Sequence, residues 1–324
     1  MFDPVPGTCS LTVVVPVYGA EASLVELTER LLRVLPDLAE EYEVLFVNDA
    51  SPDDSWSVIE LLSDTHPEVQ GIDLSRNYGQ HNALLAGIRR ARYEVVVTMD
   101  DDLQHRPEQI ATLLSALAPD VDLVYGYAAE EEHGVARSLA SRATKLALAS
   151  ALGLETARNV SAFRVFRTRL RRAFEGNQDS SVSIDVLLSW GTTRVAAVPV
   201  PMDKRRYGTS GYTVRKLVTH ALNMLTGYST APLRAVTFLG LSMAGFGMMM
   251  LTVVVGRYVL SGPAQPGFAF IASTVAIFSG AQLFCLGMLG EYIGRMHFRS
   301  MGRPTYTVRT ASDDEPDESG SGVP

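Results

Sequence analysis

Three consecutive carboxylates, Asp100, Asp101 and Asp102, close the segment VVVTMDDDLQ just after its apolar run. A short β-branched run reads as a buried strand, so the triplet falls where that strand must leave its sheet. Side chains at such exits project into the crevice where open α/β sheets bind ligands. Negative charges packed this closely repel and raise one another's pKa unless a cation joins them. In extended or turning backbone, Asp100 and Asp102 point to one side and Asp101 to the other. Asp100 and Asp102 are therefore the expected ligands of a divalent cation. Oxygen-only ligands suit Mg²⁺ or Mn²⁺, which keep positions open for substrate phosphates. The alternative is a solvated acidic loop, and the apolar strand directly before the triplet argues against it.

The elements that must position this triplet lie upstream. Residues 11–17 (LTVVVPV) suit a strand buried on both faces, ended near Pro16. Leu24, Leu27, Leu31 and Leu35 follow at helical spacing before Pro36. Residues 42–48 (YEVLFVN) and 69–74 read as further strands, with a helix capped by Asp53 or Ser51 between them. A helix over 80–91 then leads to the strand at 94–99. This alternation predicts an α/β domain, a mostly parallel sheet with helices on both faces. Right-handed crossovers bring Pro16 and Tyr18, Asn48 and Asp49, and Asp100 to Asp102 to one edge, the expected nucleotide site. Neither GxGxxG nor GxxxxGK[ST] follows any of these strands, which counts against a dinucleotide fold and a P-loop. An acidic edge holds phosphates only through a bridging metal. Asp49 is the expected acceptor for a base or ribose, against a plain turn-forming role before Ser51 and Pro52.

The later half is organised differently. Residues 134–152 read as a helix carrying Arg137, Arg142 and Lys145, and residues 159–166 and 193–200 as further strands. A basic segment, 204–212 (KRRYGTSGY), precedes an amphipathic helix expected over 213–230. Val214, Leu217, Val218, Ala221, Leu222 and Leu225 share one face, with Arg215, Lys216, Thr219 and Asn223 opposite. A basic amphipathic helix before a span is expected to lie in the membrane interface. Residues 235–255 carry no charge, and at ~1.5 Å per residue they reach ~31 Å, enough to cross a bilayer core. Residues 268–290 repeat the pattern, giving a two-helix transmembrane hairpin within 233–290. Arg257 alone is charged between the spans, while Arg215, Lys216, Arg234, Arg295, Arg299 and Arg303 lie on the outer flanks. The positive-inside rule then places both long ends in the cytoplasm. The expected organisation is a catalytic domain over 1–212, the interface helix, the hairpin, and a cytoplasmic tail over 291–324, disordered after about 311.

Composition narrows the partners. The chain has 324 residues, 47% hydrophobic, and a net charge of −8. Five of the negative charges sit in SDDEPDE near the C-terminus, so nucleic acid is not an expected partner. Cys9 and Cys285 form no disulfide framework or metal-binding spacing, which fits reducing cytoplasm. Residues 1–10 lack the basic and apolar regions of an export signal, so the catalytic part is expected to stay inside.

Taken together, VVVPVY, VNDAS, SRNYGQHNALLAG, MDDDLQHRPE, RRYGTSGY, TAPLR and LGEYIGR resemble the family 2 glycosyltransferases of GT-A fold that act on polyprenyl phosphates. That branch includes the undecaprenyl-phosphate formamido-arabinose transferases, bactoprenol glucosyltransferases and dolichol-phosphate mannose synthases. The resemblance implies a metal-dependent inverting transfer of one sugar from a nucleotide sugar, UDP-linked, to undecaprenyl phosphate. It also implies that Pro16, Tyr18 and Asp49 contact base and ribose, with Asp101 in the same nucleotide site. Asp100 and Asp102 correspond to the DxD pair that meets metal and diphosphate, and Gln104 also reaches the metal. Asp102, Arg205 and Arg206 form the implied catalytic set, with Arg205, Arg206 and Lys216 on the acceptor phosphate. Implied partners are the nucleotide sugar, polyprenyl phosphate, membrane lipid and copies of the chain in a homo-oligomer, a tetramer. The implied location is the bacterial inner membrane, multi-pass, with both termini cytoplasmic.

The chain departs from the family's pattern at Gly19, Ala20, Asn48 and Gly211. Relatives also carry an aspartate, proposed as base, near residues 159–164, where this chain has no carboxylate. A phosphate monoester with a second pKa near ~6 is already largely anionic at pH 7 and needs positioning more than deprotonation. Arginines suit that role through bidentate contacts. Two rivals are a processive polysaccharide synthase and a non-catalytic nucleotide-sensing membrane module. The first is disfavoured because no QxxRW occurs; Trp190, in LLSWGTT, is the sole tryptophan past the acidic triplet.

Overall fold

A computed structural model describes residues 9–128, 159–176, 183–203, 231–261 and 268–312. The chain divides into two units, residues 1–218 with 303–324, and residues 219–302. In the first unit, strands β1 (Ser10–Val17), β2 (Glu41–Asn48), β3 (Val69–Leu74) and β4 (Val95–Thr98) alternate with helices α1 (Glu21–Val34), α2 (Ser55–Thr65) and α3 (Gln80–Arg90). Helix α4 (Ile110–Ser115), strands β5 (Leu123–Ala128) and β6 (Arg164–Arg167), helix α5 (Ile184–Gly191) and strand β7 (Val195–Val200) follow. The last strand, β8 (Val308–Ala311), comes from the far end of the chain.

These strands form one eight-stranded sheet in the order β7-β5-β6-β4-β1-β2-β3-β8. Its centre is β1, whose residues 11–17 are all buried because helices cover both faces. Leu24, Leu27 and Leu31 of α1 with Ile59 and Leu62 of α2 build one core against Val13, Val15, Val44 and Phe46. Ala83 to Ile88 of α3 and Ile184, Leu187 and Leu188 of α5 build the other, against Val14, Leu45, Val47 and Val96. Gly87 lets α3 lie close to the sheet, since a Cβ there would come within 2.3 Å of Val14 Cγ1.

The sheet, expected to be mostly parallel, is mixed, with four parallel and three antiparallel pairings. β1 pairs parallel with β2 and β4, β2 with β3, and β5 with β7. β6 runs antiparallel to both β4 and β5, and β8 antiparallel to β3. Hydrophobic pattern marks a buried strand but carries no direction, so the reversal at β6 was not readable from it. β6 also begins only at Arg164, later than the run expected from residue 159. The helix expected over 134–152 and the amphipathic helix over 213–230 lie outside the described residues.

The second unit contains helices α6 (Ala231–Ser261) and α7 (Phe268–Ser300), which pack together where Gly247 faces the ring of Phe278. Among the described residues, Leu233–Arg257 is long and apolar enough to cross a membrane, with mean hydropathy 2.0.

One ion cluster pins the sheet's edge on the side of β5 and β7. Asp122, buried ahead of β5, accepts from Arg169 Nη2 (2.6 Å), Thr192 Oγ1 (2.7 Å) and Arg194 Nε (2.9 Å). Burial pushes its pKa up, but these donors outweigh burial and hold it at about 2. Relative to its ordinary value of 3.8, that is about 2 kcal/mol of stability at ~1.4 kcal/mol per pH unit. Because the folded value is the lower one, this stability is complete above about pH 4 and lost as pH falls toward 2. Asp122→Asn is thus expected to lower the unfolding free energy by about 2 kcal/mol at pH 7. The gap from wild type should close between about pH 4 and pH 2 in denaturant titrations; a gap independent of pH would contradict the assignment.

Candidate active site

Segments leaving β1, β2 and β4 at the same edge of the sheet meet the loop that enters α3 and enclose a cleft of about 480 Å³. Pro16 lies near the end of β1 and Tyr18 follows it, Asp49 follows β2, and Asp100, Asp101 and Asp102 follow β4. Parallel pairing of these strands puts their C-terminal ends side by side, which is why residues more than 80 positions apart converge.

Each carboxylate of the triplet is held by a different element. Gln80 at the start of α3 donates from Nε2 to Asp100 Oδ1 at 2.6 Å. Asp101 does not turn away from the cleft as strict alternation predicts; its Oδ2 accepts the Tyr18 N–H at 3.1 Å and ties the β4 loop to the β1 loop. Asp102 Oδ1 accepts the Gln104 N–H at 3.1 Å, a turn within its own loop. Leu103 makes that turn with φ +61°, a left-handed conformation rare for leucine, held by complete burial of its side chain. Burial pushes Asp101 up to about 7 against the Tyr18 N–H that favours its charge, and the charges of Asp100 and Asp102 add to the rise.

Behind the triplet, the Asp100 N–H donates to Nδ1 of the buried His105, whose ring stacks on Phe163 at 5.2 Å. Accepting at Nδ1 leaves a neutral imidazole protonated at Nε2. Burial lowers its pKa, against the charges of Asp100 and Asp102. Deeper still, fully buried Arg164 pairs with Asp185 and donates to Thr98 Oγ1 at 2.9 Å, and Tyr125 OH donates to Asp185 at 3.0 Å. Thr98 in turn donates to the carbonyl of Ala162, which lines the cleft. A buried arginine persists because a carboxylate and a hydroxyl satisfy it.

On the other side of the cleft, Asp49 Oδ1 and Oδ2 accept the N–H groups of Tyr78 (2.6 Å) and Gly79 (2.8 Å). Burial raises the Asp49 pKa, opposed by those two donors. Gly79 has φ +90°, a region open to glycine and not to residues with a Cβ. Tyr18 leaves 55% of its surface exposed at the rim, a ring face available for stacking.

The donor set fits a hard divalent cation in an open site. Among the described residues, no three His, Cys, Asp or Glu side chains already converge on one point. Two carboxylates beside an open cleft are what Mg²⁺-type ions use when water and substrate phosphates complete the shell. Gln104 joins the loop through its backbone, and its side chain is not among those lining the cleft. Arg205, Arg206 and Lys216 lie outside the described residues. The last described residue before them is Asp203, whose N–H donates to the Gln104 carbonyl (2.9 Å) and whose carboxylate pairs with Arg106.

Residues 12–174 match the family described as Glycosyl transferase family 2. The chain belongs to glycosyltransferase family 2. Among its relatives, the undecaprenyl-phosphate 4-deoxy-4-formamido-L-arabinose transferase of Pectobacterium carotovorum subsp. carotovorum is 32% identical over 303 residues, 93% of each chain. The enzyme of that name from Pseudomonas fluorescens is 30% identical, covering 97% of this chain and 92% of its own. Two solved glycosyltransferase structures share the fold. Mannosyl-3-phosphoglycerate synthase from Rubrobacter xylanophilus superposes with a TM-score of 0.51 at 15% identity over 70% of this chain and 74% of its own. A mannosyltransferase from Pyrobaculum calidifontis, solved with GDP-Man and Mn²⁺, gives 0.50 at 18% identity over 90% of each. The GT-A arrangement of this family 2 glycosyltransferase thus places its acidic triplet at the edge where the cleft opens.

Asn77, Gly79 and Gln80 line the cleft of this glycosyltransferase without having been singled out by the reading of its residues. The one signal for them was the stretch SRNYGQHN, which carried the resemblance but no assigned role. Gly79→Ala is expected to cost about 1–3 kcal/mol, because alanine cannot relax into φ +90° while Asp49 holds the adjoining N–H groups. A denaturation midpoint equal to wild type would show that the turn bears no such constraint.

Proposed function

We propose that this glycosyltransferase moves one sugar from a nucleotide diphosphate donor, UDP-linked, to undecaprenyl phosphate at the cytoplasmic face of a bacterial inner membrane. The observation that carries the proposal is coverage. Relatives named for transfer to undecaprenyl phosphate match 93% of this chain, so the likeness extends past the cleft and across the long apolar helix.

In this reading Tyr18 stacks on the base, Asp49 and Asn77 face the nucleoside, and the diphosphate lies against Asp100 and Asp102. Those two residues would hold Mg²⁺ or Mn²⁺, which when bound supplies charge neutralisation for the leaving diphosphate. Asp101 keeps the base-side loop closed through Tyr18. Arg205 and Arg206, with Lys216, receive the acceptor phosphate through charge-assisted contacts. The acceptor oxygen attacks the anomeric carbon from the face opposite the diphosphate, with inversion, and no side chain removes a proton from it. The described residues 159–164 offer no carboxylate to do so, in keeping with an acceptor already ionised at neutral pH.

A membrane hairpin is supported by the sheet. A hydrogen-bonded ladder cannot straddle a bilayer, so β8 and β3 belong on one side. The intervening chain must then cross an even number of times, and α6 and α7 supply two helices for it. Phe238, Leu241 and Leu260 on α6 are exposed by 71%, 69% and 87%, surface that suits lipid better than water. With Arg234, Arg295, Arg299 and Arg303 on its outer flanks, the hairpin leaves both termini in the cytoplasm by the positive-inside rule.

The test is transfer of labelled sugar from a panel of nucleotide sugars to undecaprenyl phosphate by purified protein. Removing a contact to reacting charge costs about 2–4 kcal/mol, or roughly two to three orders of magnitude in rate. At least one of Arg205→Ala and Arg206→Ala is expected to fall that far, and Asn159→Ala much less. Severe loss in Asn159→Ala with both arginine variants active would mean that acceptor activation lies in the 159–164 segment instead.

A further inference from the structure

Strand β8 lies beyond the apolar helices, yet it closes the sheet beside the nucleotide half of the cleft. Its pairing is irregular in a specific way. Ala311 faces Ile72 and Thr310 faces Asp73, but Val308 faces Leu74, so Arg309 is the extra residue of a β-bulge. Bulges re-aim a side chain, and this one sends Arg309 onto two groups of β3 and its exit. Its Nη1 lies 3.2 Å from Asp73 Oδ2, and its Nη2 donates to the Ser75 carbonyl at 3.0 Å. The Ser75 N–H in turn donates to the Thr307 carbonyl at 2.9 Å.

Both targets lead directly to the cleft. Asp73 is buried, and its other oxygen accepts Asn48 Nδ2 at 2.7 Å. Asn48 Oδ1 accepts the Ser51 N–H, so Asn48 braces the turn that carries Asp49. Ser75 opens the loop whose Tyr78 and Gly79 N–H groups sit on the Asp49 carboxylate, and whose Asn77 and Gly79 line the cleft. Ser75 and Tyr78 also share a side-chain hydrogen bond at 3.1 Å. A buried carboxylate that loses its cation is left uncompensated, and the groups bonded to it must move or the charge must be neutralised.

We propose that Arg309 is a positioning residue for donor binding: through Asp73 and Ser75 it holds Asp49 and the turn at residues 77–79 in the shape that takes a nucleoside diphosphate. This rests on reading the cleft as the nucleotide site. Arg309 touches no reacting group, so its loss should appear in donor affinity and not in the use of the lipid acceptor.

The experiment is calorimetric titration of UDP with Mn²⁺ into the full-length protein in detergent, alongside separate KM values for donor sugar and undecaprenyl phosphate. Arg309→Ala and Arg309→Gln are each expected to bind UDP with Mn²⁺ about tenfold more weakly, a coupling of ordinary size for residues in one network. The acceptor KM should stay close to wild type, while the thermal midpoint of the UDP-free protein should fall in both variants, because each leaves the buried Asp73 without its cation. Arg309→Lys should recover much of the affinity. So should adding Asp73→Asn to Arg309→Ala, which removes the stranded charge. Loss of UDP binding in Asp102→Asn with wild-type binding in both Arg309 variants would overturn the positioning role alone. Wild-type binding in all three would overturn the nucleotide-site reading beneath it as well. A rise in acceptor KM equal to that in donor KM would also overturn the proposal, by showing a general loss of structure.

Discussion

Three adjacent carboxylates at the end of one strand repel one another, and the surrounding structure is arranged around that electrostatic fact. Gln80 from α3, Tyr18 from the β1 exit and Gln104 from the same loop each hold one of them. Those bonds fix where the oxygens point but do not cancel three charges. A divalent cation between Asp100 and Asp102 would offset most of that charge, and in the proposed function the donor diphosphate would complete its shell. The same loops that restrain the triplet thereby become the walls of the cleft.

The restraint extends inward on one side and outward on the other. Inward, Thr98, Arg164, Asp185 and Tyr125 form a buried polar network that supports the Ala162 wall from beneath. Such a network stays rigid only while each member is satisfied. Outward, the Asp49 turn leans on Asn48 and Asp73, and that pair is closed by a residue more than 230 positions later in the chain. The segment that follows the apolar helices is therefore part of the sheet that carries the cleft, not an appendage to it.

What the sequence made legible follows from this division between local and distant partners. Residues 13–17 and 44–47 are apolar runs because helices cover them on both faces, so β1 and β2 could be read directly. The convergence of Pro16, Tyr18, Asp49 and the triplet followed from parallel pairing. β5 (LVYGYA) was missed because Gly126 and two tyrosines interrupt any apolar run. β8 (VRTA) was missed because a short polar edge strand owes its existence to a distant partner. Alternation alone sent Asp101 away from the cleft, against the resemblance that put it there, because alternation assumes extended backbone and the loop turns through Leu103 in a left-handed conformation. Asn77 in its loop and Gln80 at the start of α3 are ordinary polar residues until the fold brings Asp49 and Asp100 beside them.

The central claim is that a cation joins the Asp100 and Asp102 carboxylates to a nucleotide diphosphate in this cleft. It is tested most directly by titrating UDP into purified wild-type protein with Mn²⁺ present and again in excess EDTA, with no acceptor and no turnover. Saturable binding with Mn²⁺ that weakens at least tenfold, about 1.4 kcal/mol, in EDTA is the expected result. Equal affinity in the two titrations would contradict the account, because the diphosphate would then be resting against bare carboxylates that should repel it.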